Sequence, residues 1–268
     1  MKNRYDILFV DDEQVIIDAA VKICSAEALK VDSATDSQTA LVKVQKNQYR
    51  LIICDIMLPG MDGFQCFEKV KPLGISTAFV MTTGYSTIEN AVKSLYLGAI
   101  DFLPKPFTSD EFSSSVKRAL KYVEIREKNA LKKDDGTDNI ILYVPCPARY
   151  FRLGYCSWLV KERTGSVLVG ITDLFLRTVD TIERIKLLEQ EQEIFQGNPC
   201  AMLETRDGLQ HGILAPVSGR IIAKNNLVEE EVTLIEKDPF FKGWLYRVIP
   251  DDLNYQMKYL IPGGWEEL

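Results

Sequence analysis

Apolar residues in the first part of the chain alternate between short continuous runs and rows at helical spacing. Four runs have the length and composition of strands buried on both faces: YDILFV (5–10), LIICDI (51–56), TAFVMTT (77–83) and AIDFL (99–103). Each run is followed by apolar residues three or four apart, such as Ile16, Ala20 and Ile23 after the first. With a weaker strand near 29–33 and a helix near 37–47, five strand–helix units predict a parallel sheet covered by helices on both faces.

The pattern changes after the fifth predicted helix. Residues 125–140 are dense in charge and carry no long apolar row, which predicts a charged helical linker. Beyond it, short runs such as SVLVGIT, GRIIAK and GWLYRVI are separated by Gly, Pro, Asn and Asp, a pattern typical of antiparallel strands. Short helices are predicted in TDLFLRTVDT and DDLNYQMKYL. We therefore predict an α/β domain over 1–124 and a mostly β domain over 141–268.

The composition of the chain limits the classes of partner that it is expected to bind. A chain of 268 residues suits two domains, each able to bury a core. Its net charge of −6 and pI near 5.1 disfavour nucleic-acid binding, which needs a basic face. No apolar run approaches the roughly 20 residues that cross a bilayer, and acids follow MKNRYDILFV where a signal peptide would have small residues. We expect a cytoplasmic protein with no membrane or nucleic-acid partner.

The cysteine and histidine content of the chain disfavours a zinc site. The six cysteines are scattered without a CxxC pair, and the chain has a single histidine. In a cytosolic chain, isolated cysteines are most often small buried thiols. A structural zinc site needs four such ligands at close spacing, so none is expected.

Polar residues stand at the predicted carboxyl ends of four strands. Asp11 and Asp12 follow the first strand, Asp55 lies near the end of the third, Thr83 ends the fourth, and Lys105 follows the fifth. In an open parallel sheet, the carboxyl ends of the strands form the crevice that binds ligands. Each residue alone could be an ordinary turn or cap residue. Together they predict one pocket with three carboxylates, a hydroxyl and an ammonium.

These groups favour a phosphoryl-transfer site. Three carboxylates repel each other unless a hard cation offsets their charge, and Mg²⁺ prefers oxygen ligands. With the cation bound, one carboxylate can attack a phosphoryl group and form an aspartyl phosphate. Lys105 and the hydroxyl of Thr83 can then hold the phosphate oxygens.

The motifs FVDDE, IICDIMLPGMDGF, VMTTGY and GAIDFLPKPF resemble those of response-regulator receiver domains, which have a flavodoxin-like (βα)5 fold. The resemblance implies that Asp55 is the phosphoacceptor. It implies that Asp11 and Asp12, with Asp55 and the carbonyl of Met57, bind Mg²⁺. Thr83 and Lys105 are then the phosphate-binding residues.

The same resemblance assigns a conformational switch and a set of partners. Thr83 and Phe102 fill the switch positions, although an aromatic residue on a strand is more often simply packed, and Lys105–Pro106 is expected to be cis. The partner is a sensor histidine kinase, and because receiver domains often dimerise, a homodimer is among the expected assemblies. No enzyme activity is expected beyond Mg²⁺-dependent phosphoryl acceptance and autodephosphorylation.

The second half resembles the H-protein of the glycine cleavage system, a lipoyl carrier with a small β barrel-sandwich hybrid fold. The features that match in order are Trp158 of YCSWLV, the VGIT strand, the APVSG turn and the pair Gly243-Trp244. Each motif is weak alone, but their order and spacing are specific. The resemblance implies a carrier scaffold over most of 141–268.

The carrier lysine is missing. In H-proteins, a lysine at a hairpin tip precedes the PVSG turn, but here the matching run is ETRDGLQHG, with Arg206 and Asp207 at the tip. No lysine occurs from 187 to 223, so no lipoyl attachment and no lipoate are expected. His211 lies in the same glycine-framed run, and we interpret it as a polar turn residue with no catalytic or metal-binding role.

The sequence leads to three hypotheses about function. The leading hypothesis is a two-component signalling protein in which phosphorylation of Asp55 switches protein binding by a non-lipoylated H-protein-like output domain, whose partner is unknown. The alternative is a phosphorylation-gated carrier related to the glycine cleavage system, with an unconventional lipoyl attachment. A transcription regulator is disfavoured, because no helix-turn-helix pattern follows the linker and the chain is acidic.

Overall fold

The computed structural model describes residues 3–73, 77–85, 87–135 and 142–264. The chain divides into two compact units. The first comprises Met1–Ser86 and Ala99–Glu127, and the second comprises Thr87–Gly98 and Lys128–Leu268. No helix in the described ranges is long and apolar enough to cross a membrane.

The first unit is built on a parallel sheet of five strands. Its strands are β1 (Arg4–Val10), β2 (Val31–Ala34), β3 (Gln48–Asp55), β4 (Ala78–Thr83) and β5 (Asp101–Pro104), in the order β2-β1-β3-β4-β5. All four neighbouring pairs are parallel. Strand β4 is buried along its whole length, and β1 and β3 are buried in their carboxyl-terminal halves, as the continuous apolar runs predict. The prediction of a flavodoxin-like α/β domain is confirmed.

Five helices alternate with these strands, and a 3₁₀ turn (Lys71–Leu73) follows the third. The helices are α1 (Gln14–Ala26), α2 (Ser37–Lys46), α3 (Gly63–Val70), α4 (Ile88–Leu97) and α5 (Ser109–Asp135). Side-chain caps fix the start of two of these helices. At α2, the side chain of Asp36 accepts from the N–H of Thr39, and at α3, Asp62 and Gln65 form a capping box. Helix α5 continues through most of the range expected as a linker, and residues 136–140 of that range lie outside the described residues.

The second unit is mostly antiparallel β structure, as predicted. A seven-stranded sheet has the order β10-β13-β14-β8-β7-β6-β15, and a three-stranded sheet has the order β12-β11-β9. The strands are β6 (Phe151–Leu153), β7 (Ser157–Lys161), β8 (Val167–Ile171), β9 (Ile182–Leu187), β10 (Glu193–Ile194), β11 (Pro199–Thr205), β12 (Gln210–Leu214), β13 (Gly219–Lys224), β14 (Trp244–Pro250) and β15 (Ile261–Pro262).

Short helices connect the strands of the second unit. They are α6 (Asp173–Thr178), α7 (Leu227–Glu230), α8 (Thr233–Lys237) and α9 (Leu253–Gln256), with a 3₁₀ turn at Met257–Tyr259. Two of them, α6 and α9, fall in the two segments predicted to be helical. Thr172 begins α6, and its hydroxyl accepts from the N–H of Phe175 at 3.2 Å.

An ion pair at the edge of the second unit gives a pH-dependent contribution to stability. Arg247 donates to both carboxylate oxygens of Glu162 at 2.8 and 3.1 Å, and the hydroxyl of Ser166 donates at 2.6 Å. Partial burial of Glu162 opposes its charged form, but these bonds outweigh burial and lower the pKa of its carboxyl below the usual 4.5. The carboxylate therefore stabilises the fold above pH 4.5, and this contribution is lost as the pH falls through the lowered pKa.

We expect Glu162→Gln to cost about 1 kcal/mol at neutral pH, since the pair is partly exposed, and to flatten the loss of stability below pH 4.5. Thermal midpoints measured between pH 7 and pH 3 test this expectation. Glu230→Gln, at an exposed glutamate of the same unit, is the control. Equal pH dependence in the wild type and Glu162→Gln would contradict it.

Candidate functional site

The carboxyl edge of the parallel sheet gathers the polar residues singled out from the sequence. Asp11 directly follows β1, Asp55 ends β3, Thr83 ends β4, and Lys105 follows β5. Asp11 and Thr83 are 0% exposed and Asp55 is 4% exposed. Strand register produces this convergence, because Cys54 pairs with Val10 on one side and with Met81 on the other.

Three carboxylates at this edge have the chemistry of a magnesium site. Asp11, Asp12 and Asp55 each offer one carboxylate oxygen, and these oxygens lie within 4.8 Å of one another. Asp11 and Asp55 are buried, whereas Asp12 is exposed. Hard oxygen donors at this spacing fit Mg²⁺, which keeps several waters on its open side. The net negative charge of the cluster also fits a divalent cation.

Lys105 bridges the two buried carboxylates. Its Nζ lies 2.6 Å from Oδ2 of Asp11 and 2.6 Å from Oδ2 of Asp55. Burial disfavours the charged amine, but the two carboxylates outweigh burial and raise the pKa of Lys105. Burial raises the pKa of Asp11 despite its bonds to Lys105 and to the N–H of Glu13. The ammonium therefore stays protonated and offsets part of the acidic charge.

The second oxygen of Asp55 is held by the main chain. Its Oδ1 accepts from the N–H of Met57 at 2.9 Å, which brings the Met57 backbone to the site. The loop after β3 packs closely around this point, because a Cβ on Gly63 would lie 2.2 Å from the carbonyl oxygen of Asp55. Only glycine fits at position 63, so the Met61-Asp62-Gly63 segment can pack directly against the backbone of Asp55.

The two predicted switch residues lie on β4, which pairs with the strand of Asp55, and on β5, the next strand in the sheet. The hydroxyl of Thr83 accepts from the N–H of Tyr85 at 3.1 Å. Phe102 pairs with Met81 across β4 and β5 and is 8% exposed. The Lys105–Pro106 peptide is cis, as expected.

One acidic residue near the site was not singled out from the sequence. Oε1 of Glu13 lies 3.8 Å from Nζ of Lys105, and its side chain is 64% exposed. Glu13 is the third acid in the run after β1, and the run alone does not show which of its acids approach Lys105. It adds a further negative charge at the mouth of the carboxylate cluster.

In the second unit, the hairpin of β11 and β12 carries the run expected at a carrier tip. Residues 206–209 form the turn, with Arg206 and Asp207 at the tip as predicted. The hydroxyl of Thr205 donates to Oδ1 of Asp207 at 2.7 Å, which ties the turn together. The side chain of Arg206 is 68% exposed, and its Nε lies 3.8 Å from a carboxylate oxygen of Glu183.

The interpretation of His211 as a polar turn residue is wrong. His211 lies on β12, pairs with Leu203, and is only 2% exposed. Its Nε2 lies 3.3 Å from the hydroxyl of Thr205. The turn is made by Gly208, with φ of +82°, so the chain has already entered the strand at His211 and its side chain points inward.

Family models match both halves of the chain. The response regulator receiver domain model matches residues 7–117, and the glycine cleavage H-protein model matches residues 149–264. The chain joins a receiver domain to an H-protein domain. Both assignments agree with the resemblances seen in the sequence. The residues of the carboxylate cluster belong to the receiver domain, and the β11–β12 hairpin belongs to the H-protein domain.

Known proteins resemble one half or the other. The transcriptional regulatory protein CutR of Streptomyces coelicolor is 34% identical over 111 residues, which are 41% of this chain and 51% of CutR. The crystal structure of the NtrX receiver domain from Brucella abortus is 36% identical and covers 43% of this chain and 98% of that one, with a TM-score of 0.42. A crystal structure of a glycine cleavage H-protein from Mycobacterium marinum is 25% identical. The match covers 39% of this chain and 86% of that one, with a TM-score of 0.37.

The match to CutR covers only part of each protein. The chain spans about half the length of this curated relative, 51% of CutR.

Proposed function

We propose that this protein is a phosphorylation-controlled signalling protein that accepts a phosphoryl group on Asp55 and thereby switches protein binding by its H-protein domain. One observation carries the proposal most strongly. Asp55 belongs to a cluster of three carboxylates, and its Oδ2 lies 2.6 Å from Nζ of Lys105. This combination of three carboxylates that could hold a metal ion and a buried ammonium fits phosphoryl transfer, in which such groups offset the charge of the transferring phosphoryl group.

The carboxylates and the lysine have separate roles in the proposed reaction. A carboxylate oxygen of Asp55 attacks the phosphorus, and the bond from phosphorus to the donor breaks as the acyl phosphate forms. Asp11, Asp12, Asp55 and the Met57 carbonyl would hold Mg²⁺, which neutralises charge on the transferring group. Lys105 keeps its ammonium beside Asp55 and can bind an oxygen of the new phosphate.

Thr83 and Phe102 are the proposed switch. The hydroxyl of Thr83 accepts from the N–H of Tyr85, and its own proton can turn to donate to a phosphate oxygen. Phe102 lies on the neighbouring strand and is nearly buried, so a change in its side chain requires repacking. The resemblance to receiver domains supports a sensor histidine kinase as the phosphoryl donor.

The lifetime of the acyl phosphate is expected to be long. Hydrolysis is fast when a side chain positions the attacking water, and the two residues flanking the site offer no carboxamide. Met57 is 59% exposed and Tyr85 is 67% exposed, so both lie at the rim with apolar or phenolic groups. We expect a half-life of many minutes or longer for the purified phosphoprotein, measured by intact mass over time. A half-life of seconds would overturn this expectation.

The H-protein domain is proposed to act without lipoate. No lysine occurs from 187 to 223, and the two lysines that flank this range are held in ion pairs. Lys186 pairs with Glu204, and Lys224 lies 2.9 Å from Glu189 and 3.0 Å from Glu229. The bonds to Glu189 and Glu229 raise the pKa of Lys224, which favours the protonated form of its amine. These contacts favour a binding role over the alternative of a phosphorylation-gated carrier.

Acetyl phosphate tests the proposed chemistry directly. The full chain is incubated with acetyl phosphate in the presence of Mg²⁺ or of a chelator, and its intact mass is measured. We expect the mass of one phosphoryl group to be added with Mg²⁺ and none to be added with the chelator. No gain of mass in either condition would reject the proposed function.

A further inference from the structure

A cavity lies on one face of the seven-stranded sheet, beside the turn between β7 and β8. Its volume is about 540 Å³, within the range of about 300–1,000 Å³ that is typical of small-molecule sites. Its lining includes two aliphatic side chains, one ion pair and two hydroxyls, contributed by Ile222, Ile249, Arg247, Glu162, Thr164 and Ser166. All of these residues belong to the second unit. Apolar surface beside a few polar groups is the usual composition of a ligand site.

The aliphatic part of the cavity lies on the face of the sheet that points away from the core. Val248 is 0% exposed and belongs to the core cluster of the second unit. Successive residues of a strand point to opposite faces, so Arg247 and Ile249 lie on the other face. Ile222 has no partner in the pairing of β13 with β14, where the register shifts, and such a bulge re-aims a side chain. Water therefore meets two aliphatic side chains here, and covering them with a carbon chain is favourable.

The ion pair of Glu162 and Arg247 leaves one end of the guanidinium open. Nε and Nη2 of Arg247 donate to the two carboxylate oxygens of Glu162 at 2.8 and 3.1 Å. A guanidinium carries N–H groups around its whole planar edge. Within the described residues, the N–H groups that remain on Nη1 and Nη2 of Arg247 have no hydrogen-bond acceptor. Together they match the two oxygens of a second carboxylate.

Arg247 is held in place before any ligand binds. Glu162 fixes the edge of its guanidinium, and the ring centroid of Trp244 lies 5.8 Å from its Cζ. The hydroxyl of Ser166 donates to Glu162 at 2.6 Å and so fixes the carboxylate in turn. A donor that is already oriented loses less conformational entropy when it binds an acceptor. Glu162 is therefore a positioning residue, and Arg247 offers the contact to a ligand.

The hydroxyls of the cavity have no proton left to donate. Ser166 gives its single proton to Glu162, so Thr164 is the donor in the 2.8 Å contact between Oγ1 of Thr164 and Oγ of Ser166. Among the side chains that line the cavity, Arg247 is thus the one that can still donate. The polar group that suits this site is an acceptor with negative charge.

We propose that this cavity is a binding site for a small aliphatic carboxylate. The carboxylate accepts from Nη1 and Nη2 of Arg247, and its carbon chain covers Ile222 and Ile249. None of the residues of the carboxylate cluster lines the cavity, so the inference stands independently of the phosphorylation of Asp55. It gives the H-protein domain a small-molecule ligand of its own.

Titration of the full chain with hexanoate tests the proposal. Backbone amide resonances of isotopically labelled protein are recorded with increasing hexanoate, and with acetate and hexanol at the same concentrations. We expect hexanoate to shift the amides of 162–166, Ile222 and 247–249, with a dissociation constant in the millimolar range because so small a ligand makes few contacts. Acetate lacks the chain and hexanol lacks the charge, so each is expected to bind about tenfold more weakly or worse.

Two arginines of the same sheet provide a variant and its matched control. Arg247→Lys keeps the positive charge but removes the planar fork, and we expect it to weaken hexanoate binding about tenfold or more. Arg220 is also paired with a glutamate, since its Nη1 lies 2.9 Å from Glu191, but it does not line the cavity. Arg220→Lys should therefore bind within about twofold of the wild type.

A second variant serves if Arg247→Lys does not fold. Ile249 is 45% exposed, so Ile249→Ala removes apolar surface from the cavity without opening the core, and hexanoate binding should weaken severalfold. No shift with hexanoate, or shifts confined to other parts of the chain, would overturn the proposal. Equal binding of acetate and hexanoate would also overturn it. So would wild-type affinity in Arg247→Lys or, if that variant does not fold, in Ile249→Ala.

Discussion

Replacing Asp55 with Asn is expected to abolish phosphorylation while leaving the receiver domain folded. Asn has the shape of Asp, so the packing of this 4%-exposed side chain is kept. Its neutral amide is not a carboxylate nucleophile and cannot form an acyl phosphate. Labelling by acetyl phosphate, measured by intact mass, should fall from most of the molecules to an undetectable fraction.

Asp32→Asn is the matched control for this experiment. Asp32 lies in the same domain and is also paired with a lysine, because its Oδ1 lies 2.6 Å from Nζ of Lys43. It lies on β2, outside the carboxylate cluster, so this variant should be labelled like the wild type. Equal labelling of Asp55→Asn and the wild type would place the phosphoacceptor elsewhere.

Replacing Trp158 with Ala is expected to be the most destabilising change in the H-protein domain. Trp158 is 0% exposed, and its Nε1 donates to the carbonyls of Ile171 and Pro239 at 2.9 and 3.1 Å. Its ring packs edge to face on Tyr150, with centroids 5.0 Å apart. Truncation leaves a large cavity and removes the donor from two carbonyls, at a cost of about 3–5 kcal/mol.

The loss of stability in Trp158→Ala should be confined to the H-protein domain. The exchange of amide hydrogens in β7 and β8 measures local stability there and should accelerate by about two to four orders of magnitude, as roughly 3–5 kcal/mol implies. Phe241→Ala is the control, because this phenylalanine is 72% exposed and its loss leaves no buried cavity. A similar acceleration in both variants would contradict a core role for Trp158.

The convergence of polar residues at the carboxyl edge of the parallel sheet could be predicted from sequence because it depends on local signals. Continuous apolar runs mark the strands, and Asp11, Asp55 and Thr83 stand where those runs end. A parallel sheet then brings the strand ends together without further information. Glu13 was missed because an exposed acid in a run of acids gives no sign of which of them faces Lys105.

The features that sequence did not predict depend on contacts between distant residues. His211 was taken for a turn residue because glycines frame it, but strand pairing with Leu203 buries it. The packing of α4 could not be foreseen either, because Leu95 meets Gly154 and Val92 meets Gly197, far apart in the chain. No spacing rule connects such positions.

We propose that a phosphoryl group on Asp55 is the covalent modification that controls this chain, and that lipoate does not. An experiment that offers both modifications to the same sample tests this. The full chain is incubated with acetyl phosphate, Mg²⁺, ATP, lipoate and a lipoate ligase, with a glycine cleavage H-protein as the positive control for the ligase, and its intact mass is recorded. We expect the mass of one phosphoryl group to be added and no lipoyl group. A lipoyl adduct, or the absence of a phosphoryl adduct, would contradict it.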